Sequence, residues 1–230
     1  MHKYVFTTVA LALSLPLTTG CFPVEDSCNI KTDGLYLQLE AIEENGSVEA
    51  QAIFWVGANA GGTYLELGDC GDEIAVNGKV MTASPGYDNP EVYVASLEPS
   101  DSYDFVLSRP DEDPYTSSVS NAREAVTVTG PSDSTLSRTE AFNVAWNNND
   151  SGEVQVSVSG SCIFSYSETV QDDGSHTVAS GNLDATDEDA GESCNAKVIV
   201  DRSTAGSMAP GVAGSIETIS RGASNFVTAP

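Results

Sequence analysis

Alternation of apolar and polar side chains at a period of two is the feature that most narrows what this chain can become. Leu35, Leu37, Leu39 and Ala41 share one face of an extended segment. Val48, Ala50, Ala52, Phe54 and Val56 do the same after Glu44-Asn45-Gly46-Ser47. Successive side chains of a strand point to opposite faces, so such a pattern buries one face and wets the other. Asn-Gly between two runs of this kind predicts a tight hairpin. Further strands are predicted over 64–67, 74–80, 92–97 and 103–108. In the second half Phe142, Val144 and Trp146 alternate with small or polar residues, as do Val154, Val156 and Val158, and later strands are expected over 176–183, 196–201 and 215–220. No long stretch keeps a helical period. The class is therefore all-β, with Gly, Pro, Asn and Asp in the connections at the spacing of antiparallel β-sandwiches.

The length accommodates two domains of about 100 residues each. A short β-type run, Val126-Thr127-Val128, ends in Thr129-Gly130-Pro131 and a polar stretch, which places the boundary between 28–128 and 129–230. Residues 110–122, rich in Pro, Asp and Ser, read as a loop or short linker. Each half holds one tryptophan and two cysteines, Trp55 with Cys28 and Cys70, then Trp146 with Cys162 and Cys194, in different orders, so the halves are similar in kind without being a sequence repeat. Pro131-Ser132-Asp133-Ser134-Thr135-Leu136-Ser137-Arg138, followed by Phe142-Asn143-Val144-Ala145-Trp146, resembles the first edge segment and a core strand of the immunoglobulin or fibronectin type III modules of bacterial surfaces. The resemblance implies two tandem immunoglobulin-like sandwiches. Trp146 precedes both cysteines of its half, which departs from the immunoglobulin order, and a fold of this kind brings no activity with it.

The N-terminus carries a different signal. Lys3 is followed by about 14 mostly apolar residues from Tyr4 to Leu17, the length of a secretory signal core and too short to span a bilayer. Leu17-Thr18-Thr19-Gly20-Cys21 then resembles the lipobox of bacterial lipoproteins. The resemblance implies that residues 1–20 are removed, that Cys21 is acylated, and that 21–27 form a lipidated tether. Phe22, in place of the Asp associated with inner-membrane retention, points to the outer membrane. Acylation of Cys21 leaves an even number of cysteines, suited to an oxidising compartment. Cys28, Cys70, Cys162 and Cys194 allow three pairings. One pair per domain gives Cys28 with Cys70 and Cys162 with Cys194, closing loops of about 40 and about 30 residues, each worth about 3–4 kcal/mol.

Charge excludes some partners. The chain has 34 acidic and 9 basic residues, a formal net charge of −25. Nucleic-acid binding rests on Lys and Arg neutralising phosphates, so it is excluded, and attachment to anionic lipid must come from acyl chains instead of a basic patch. Beyond Cys21 the chain has one histidine, His176, no CxxC spacing and no GxSxG elbow. The expectation is therefore a non-enzymatic binding, adhesive or structural protein facing an envelope protein or polysaccharide. A carbohydrate- or protein-recognition subunit, marked by an exposed aromatic row, is one alternative. A hydrolase built on His176 or on facing carboxylates is the other. No cofactor is expected except weak Ca²⁺ at an acidic loop holding Asp184, Asp187, Glu188, Asp189 and Glu192, since Ca²⁺ takes hard oxygen ligands from such loops.

Intact mass of the membrane fraction should show loss of residues 1–20 and addition of lipid. Cys21→Ser should release the protein from membranes or block its processing; an unlipidated wild-type protein free in the periplasm would refute the assignment.

Overall fold

The computed structural model describes residues 24–84, 92–121, 124–147, 152–186 and 191–230, and is all-β apart from two short 3₁₀ turns, Ser27–Asn29 and Thr32–Gly34. In chain order the strands of the first half are β1 (Val24–Asp26), β2 (Leu35–Glu44), β3 (Ser47–Val56), β4 (Tyr64–Glu66), β5 (Glu73–Val76), β6 (Lys79–Val80), β7 (Thr82–Ala83), β8 (Tyr93–Leu97), β9 (Ser102–Ser108) and β10 (Tyr115–Ser120). There follow β11 (Thr135–Ser137), β12 (Phe142–Ala145), β13 (Glu153–Gly160), β14 (Ile163–Gln171), β15 (Ser175–Val178), β16 (Cys194–Ala205) and β17 (Ala213–Ala229).

The β2–β3 hairpin forms as the pattern requires. Asn45 and Gly46 both take positive φ, 54° and 76°, and Glu44 pairs with Ser47 across a two-residue turn. The same device corrects one expectation. Residues 74–80 are two strands, not one, because Asn77 and Gly78 turn at φ 47° and 77°, and Asn77 Oδ1 accepts the Asp104 backbone N–H at 2.8 Å. Four strands lie where none was expected, among them β1 within the 21–27 tether and β7 just after the predicted 74–80 strand. β10 occupies part of the 110–122 loop, with Ser117 and Val119 buried on its inner face and Tyr115 partly so. β14 runs antiparallel to β13. Glu112 in that loop is held by Thr32 Oγ1 at 2.8 Å and Tyr115 Oη at 2.7 Å, and these two donors hold its carboxyl below the usual range.

Among the described residues the largest sheet runs β1-β4-β3-β2-β17-β16-β13-β14 and crosses both halves of the chain. β17 is the joint. It pairs parallel with β2 from Ala213↔Tyr36 to Arg221↔Glu44, antiparallel with β16 from Glu217↔Ala205 to Thr228↔Cys194, and parallel with β11 at its end. At about 3.3 Å per residue its 17 residues reach about 55 Å.

Two hydrophobic cores sit on one side of this sheet. In the first, Leu35, Leu37, Leu39, Val48 and Phe54 face Ile74, Val76, Tyr103, Phe105 and Leu107 of a sheet ordered β10-β9-β5-β6. In the second, Val154, Val156, Val158, Val198, Val200 and Phe226 face Phe142, Val144 and Val178 of the β12–β15 pair. The cores do not part cleanly at residue 128. Ala209, Val212 and Ile216 belong to the first core, because the β16–β17 hairpin reaches back and Ser207 exchanges backbone hydrogen bonds with Ser118 at 2.8 and 2.9 Å. The first core is thus built from 28–128 together with the tip of a hairpin from the second half.

Each half of the chain carries one disulfide with Cα atoms 5.8 Å apart, within the ordinary range: Cys28–Cys70 is exposed, and Cys162–Cys194 belongs to the second core. The second core also holds an ion pair with no exposed side-chain surface. Arg202 Nε meets Asp172 Oδ2 at 2.6 Å and Nη2 meets Oδ1 at 2.9 Å. Two further guanidinium N–H groups donate to the carbonyls of Glu124 and Asn147, both at 2.9 Å, and Trp146 Nε1 donates to Asp172 Oδ1 at 2.9 Å.

A buried ion pair costs most when only one partner is removed. Arg202→Met should therefore destabilise the protein by about 3–5 kcal/mol in urea unfolding. Adding Asp172→Asn should recover part of that loss, because the orphaned charge disappears; additive losses in the double variant would contradict the pair's role.

Candidate functional site

The expected cation loop is only partly within reach. Asp187, Glu188 and Asp189 lie outside the described residues. Asp184 and Glu192 are exposed, and the Asp184 carbonyl accepts the Phe164 N–H at 2.9 Å, which pins the start of the loop to β14. Cys21 also lies outside the described residues. Among those described, Asp26, Cys28 and Cys70 bring three ligand-type atoms together, but the two sulfurs are bonded to each other and Asp26 Oδ1 accepts the Cys28 N–H at 2.8 Å. That group is a capped disulfide.

His176 faces inward on β15, opposite Val144, at the margin between the two layers of the second core. Its Nε2 lies 2.8 Å from Tyr166 Oη and 3.5 Å from Glu168 Oε2, and its ring stacks over Tyr166 at 6.4 Å. Tyr166 Oη also donates to Glu168. A phenol has one proton, so with that proton on Glu168 the bond from the histidine requires a hydrogen on Nε2. Burial, then the neighbouring Glu168, pushes the Tyr166 phenol up to about 12. It therefore stays protonated at neutral pH and serves as a linker. The histidine side chain is 16 % exposed against 50 % for Glu168. The group closes the mouth of the second core with a polar cluster.

An aromatic row does exist, on the outward face of the large sheet: Tyr36 pairs with Trp55 and Trp55 with Tyr64 across β2, β3 and β4. Trp55 and Tyr64 stack with ring centroids 4.1 Å apart. The row is closed on itself, since Trp55 is only 7 % exposed and its indole nitrogen is buried without a hydrogen-bond partner. A stacking platform for a sugar needs an open ring face, and the central ring does not offer one.

The same outward face is open elsewhere. Where β17, β2, β3 and β8 lie side by side, a cleft of about 890 Å³ is lined by Arg221, Ile42, Glu44, Glu49, Ser96 and Lys79, with Leu97 and Glu98 at one end. Register explains the grouping. Ile42 pairs with Glu49, Glu49 with Ser96, and Arg221 with Glu44, so alternate residues of four strands face outward in adjacent rows. Both halves of the chain contribute. Arg221 is clamped by Asp201 through Nε and Nη2 at 2.8 and 2.7 Å, and these bonds hold its guanidinium above its usual range. Lys197 Nζ meets Glu44 Oε1 at 3.2 Å, and Lys79 Nζ donates to the Ser96 carbonyl at 2.7 Å. Sequence reasoning missed this cleft, because its residues come together through the β3–β8 and parallel β2–β17 pairings, which periodicity does not show.

Beside the cleft, Glu217 stands directly opposite Glu40. Burial, then the Glu40 charge, raises its carboxyl above the ordinary value. Compared with known proteins, the chain matches no family model and no curated sequence.

A carboxylate whose folded-state pKa is raised costs stability in its ionised form. That cost is absent below the ordinary value of 4.5 and develops as pH rises through the raised one. Glu217→Gln should stabilise the protein by about 0.2–1 kcal/mol near pH 7.5, the range for like charges opposed across strands. The gain should vanish near pH 3.5, where unfolding curves of the two proteins should coincide to within about 0.2 kcal/mol. An equal gain at both pH values would exclude the charge as its origin.

Proposed function

We propose that this chain is an envelope-anchored, non-enzymatic recognition protein. Acyl chains on Cys21 hold it to the outer membrane, and two immunoglobulin-like sandwiches in tandem present its surface to a partner in the envelope. The observation that carries this reading is the open cleft on the outward face of the shared sheet, formed by side chains from β17 and from β2, β3 and β8. A site on one continuous sheet keeps its shape, since its residues are fixed by strand register and not by loops.

Two features support recognition over chemistry. The cleft's cations are already tied to protein oxygens, which suits a surface that reads a partner's charge and not one that moves protons. The Tyr166–Glu168–His176 cluster has its phenol held protonated and its histidine bonded to that phenol, an arrangement that supports a closure of the second core. Attachment a few residues before Cys28 would place the first sandwich next to the membrane and the second farther out.

The test places a photo-crosslinking amino acid at Ser96 in cells and, separately, introduces Ser96→Trp to fill the cleft. A specific crosslinked partner, lost from pull-downs with Ser96→Trp while the melting temperature holds, is the expected result. Capture that is unaffected by Ser96→Trp would remove the cleft from the function.

A further inference from the structure

The cleft has a chemical preference that its shape alone does not give. Of the charged groups around it, Arg221 is neutralised by a two-bond clamp to Asp201, and Glu44 is paired with Lys197. That leaves Glu49 and Glu98, both exposed, facing Lys79, so carboxylate is in excess. Glu49 is also oriented, because Gln51 Nε2 donates to its Oε1 at 2.7 Å from the same face of β3. Next to these acids, on the same face of the sheet, lies the half-buried apolar side chain of Ile42, which pairs directly with Glu49. Leu97 at the end of the cleft pairs with buried Val48 and packs on the first core. A carboxylate beside an aliphatic surface fits a side chain with an aliphatic stem and a cationic head, which is the make-up of arginine and lysine. Arginine fits better, since its planar fork can meet a carboxylate through two bonds.

We propose that the cleft receives an arginine or lysine side chain of a partner protein, presented on an extended segment with apolar neighbours. The stem lies along Ile42 and the head meets Glu49, with Glu98 as the second acid. This rests on the recognition reading above and names its ligand class. Charge favours a protein segment over an acidic polysaccharide, because carboxylate or sulfate groups would meet Glu49 and Glu98 and the field of a chain with net charge −25. The same field draws a cationic segment inward during encounter, an effect that salt weakens.

The probes are two fluorescein-labelled peptides, Gly-Ser-Val-Arg-Val-Ser-Gly and the same peptide with Glu in place of Arg, followed by anisotropy against the mature protein. Salt is set near 150 mM, where the screening length is about 8 Å and distant charges count little. The wild type should bind the Arg peptide at least about tenfold more tightly than the Glu peptide, an effect the size of one good charged contact. Glu49→Gln combined with Glu98→Gln should reduce that preference to about twofold or less. Asp133→Asn with Glu140→Gln removes two exposed acids of the second half at equal cost in net charge, and should leave the preference intact. Equal losses in the two double variants would overturn the proposal, since the preference would then be net charge and not the cleft. Absence of a preference in the wild type would overturn it too. If Ser96→Trp abolishes capture of the envelope partner while the peptides show no preference, the ligand class fails and the recognition reading stands. If Ser96→Trp has no effect on capture, both fail.

Discussion

The backbone ladder of β17 is the constraint on which the rest depends. Its first half closes the first core through Ile216 and its second half closes the second through Phe226, while its edges hydrogen-bond to β2, β16 and β11. Neither core is complete without it. The chain must therefore bring its C-terminal segment against β2 before the first core is sealed, a pairing of large sequence separation whose entropic cost falls on late folding steps.

Between the two cores β17 changes character. Thr218 and Ser220 are buried polar residues, and Thr218 Oγ1 donates to the Ser120 carbonyl at 3.3 Å. At Gly222 an added Cβ would lie 2.7 Å from both a methyl group and the carbonyl oxygen of Val126, so only glycine fits against that backbone. The junction is sealed by close backbone approach and hydrogen bonds, and each core keeps its own apolar interior. The Arg202–Asp172 pair lies in this region too, with carbonyls of Glu124 and Asn147 as further acceptors. Buried charge of this kind stabilises little compared with apolar packing, but it penalises any arrangement that leaves an atom unpaired.

What the sequence conveyed, and what it hid, follows from where the information is stored. The β2–β3 hairpin was legible because Leu35 to Phe54 alternate cleanly and Asn45-Gly46 supplies the positive φ that the turn needs. The all-β class followed from the same rhythm, and the cysteine pairing from parity and proximity. β10 was hidden because Tyr115-Thr116-Ser117-Ser118-Val119-Ser120 buries a serine and a valine on its inner face, which reads as polar loop. β17 was cut short at residue 220 in the reading because Arg221-Gly222-Ala223-Ser224-Asn225 lacks bulky residues. Its extension is imposed by neighbours, not by propensity. The cleft could not be seen at all, since periodicity shows which residues face outward on one strand but not which strands become neighbours.

The parallel run of β2 beside β17 also decides how the molecule carries load. When the N-terminal side of β2 is held and the C-terminal end of β17 is pulled away, the two strands are drawn in opposite directions along their shared axis. The hydrogen bonds from Ala213↔Tyr36 to Arg221↔Glu44 are then stretched together instead of being opened one after another from an end. Rupture would require nine strand pairings to fail at once, so β2 and β17 should part under force as a brittle lap joint does, abruptly and at high tension.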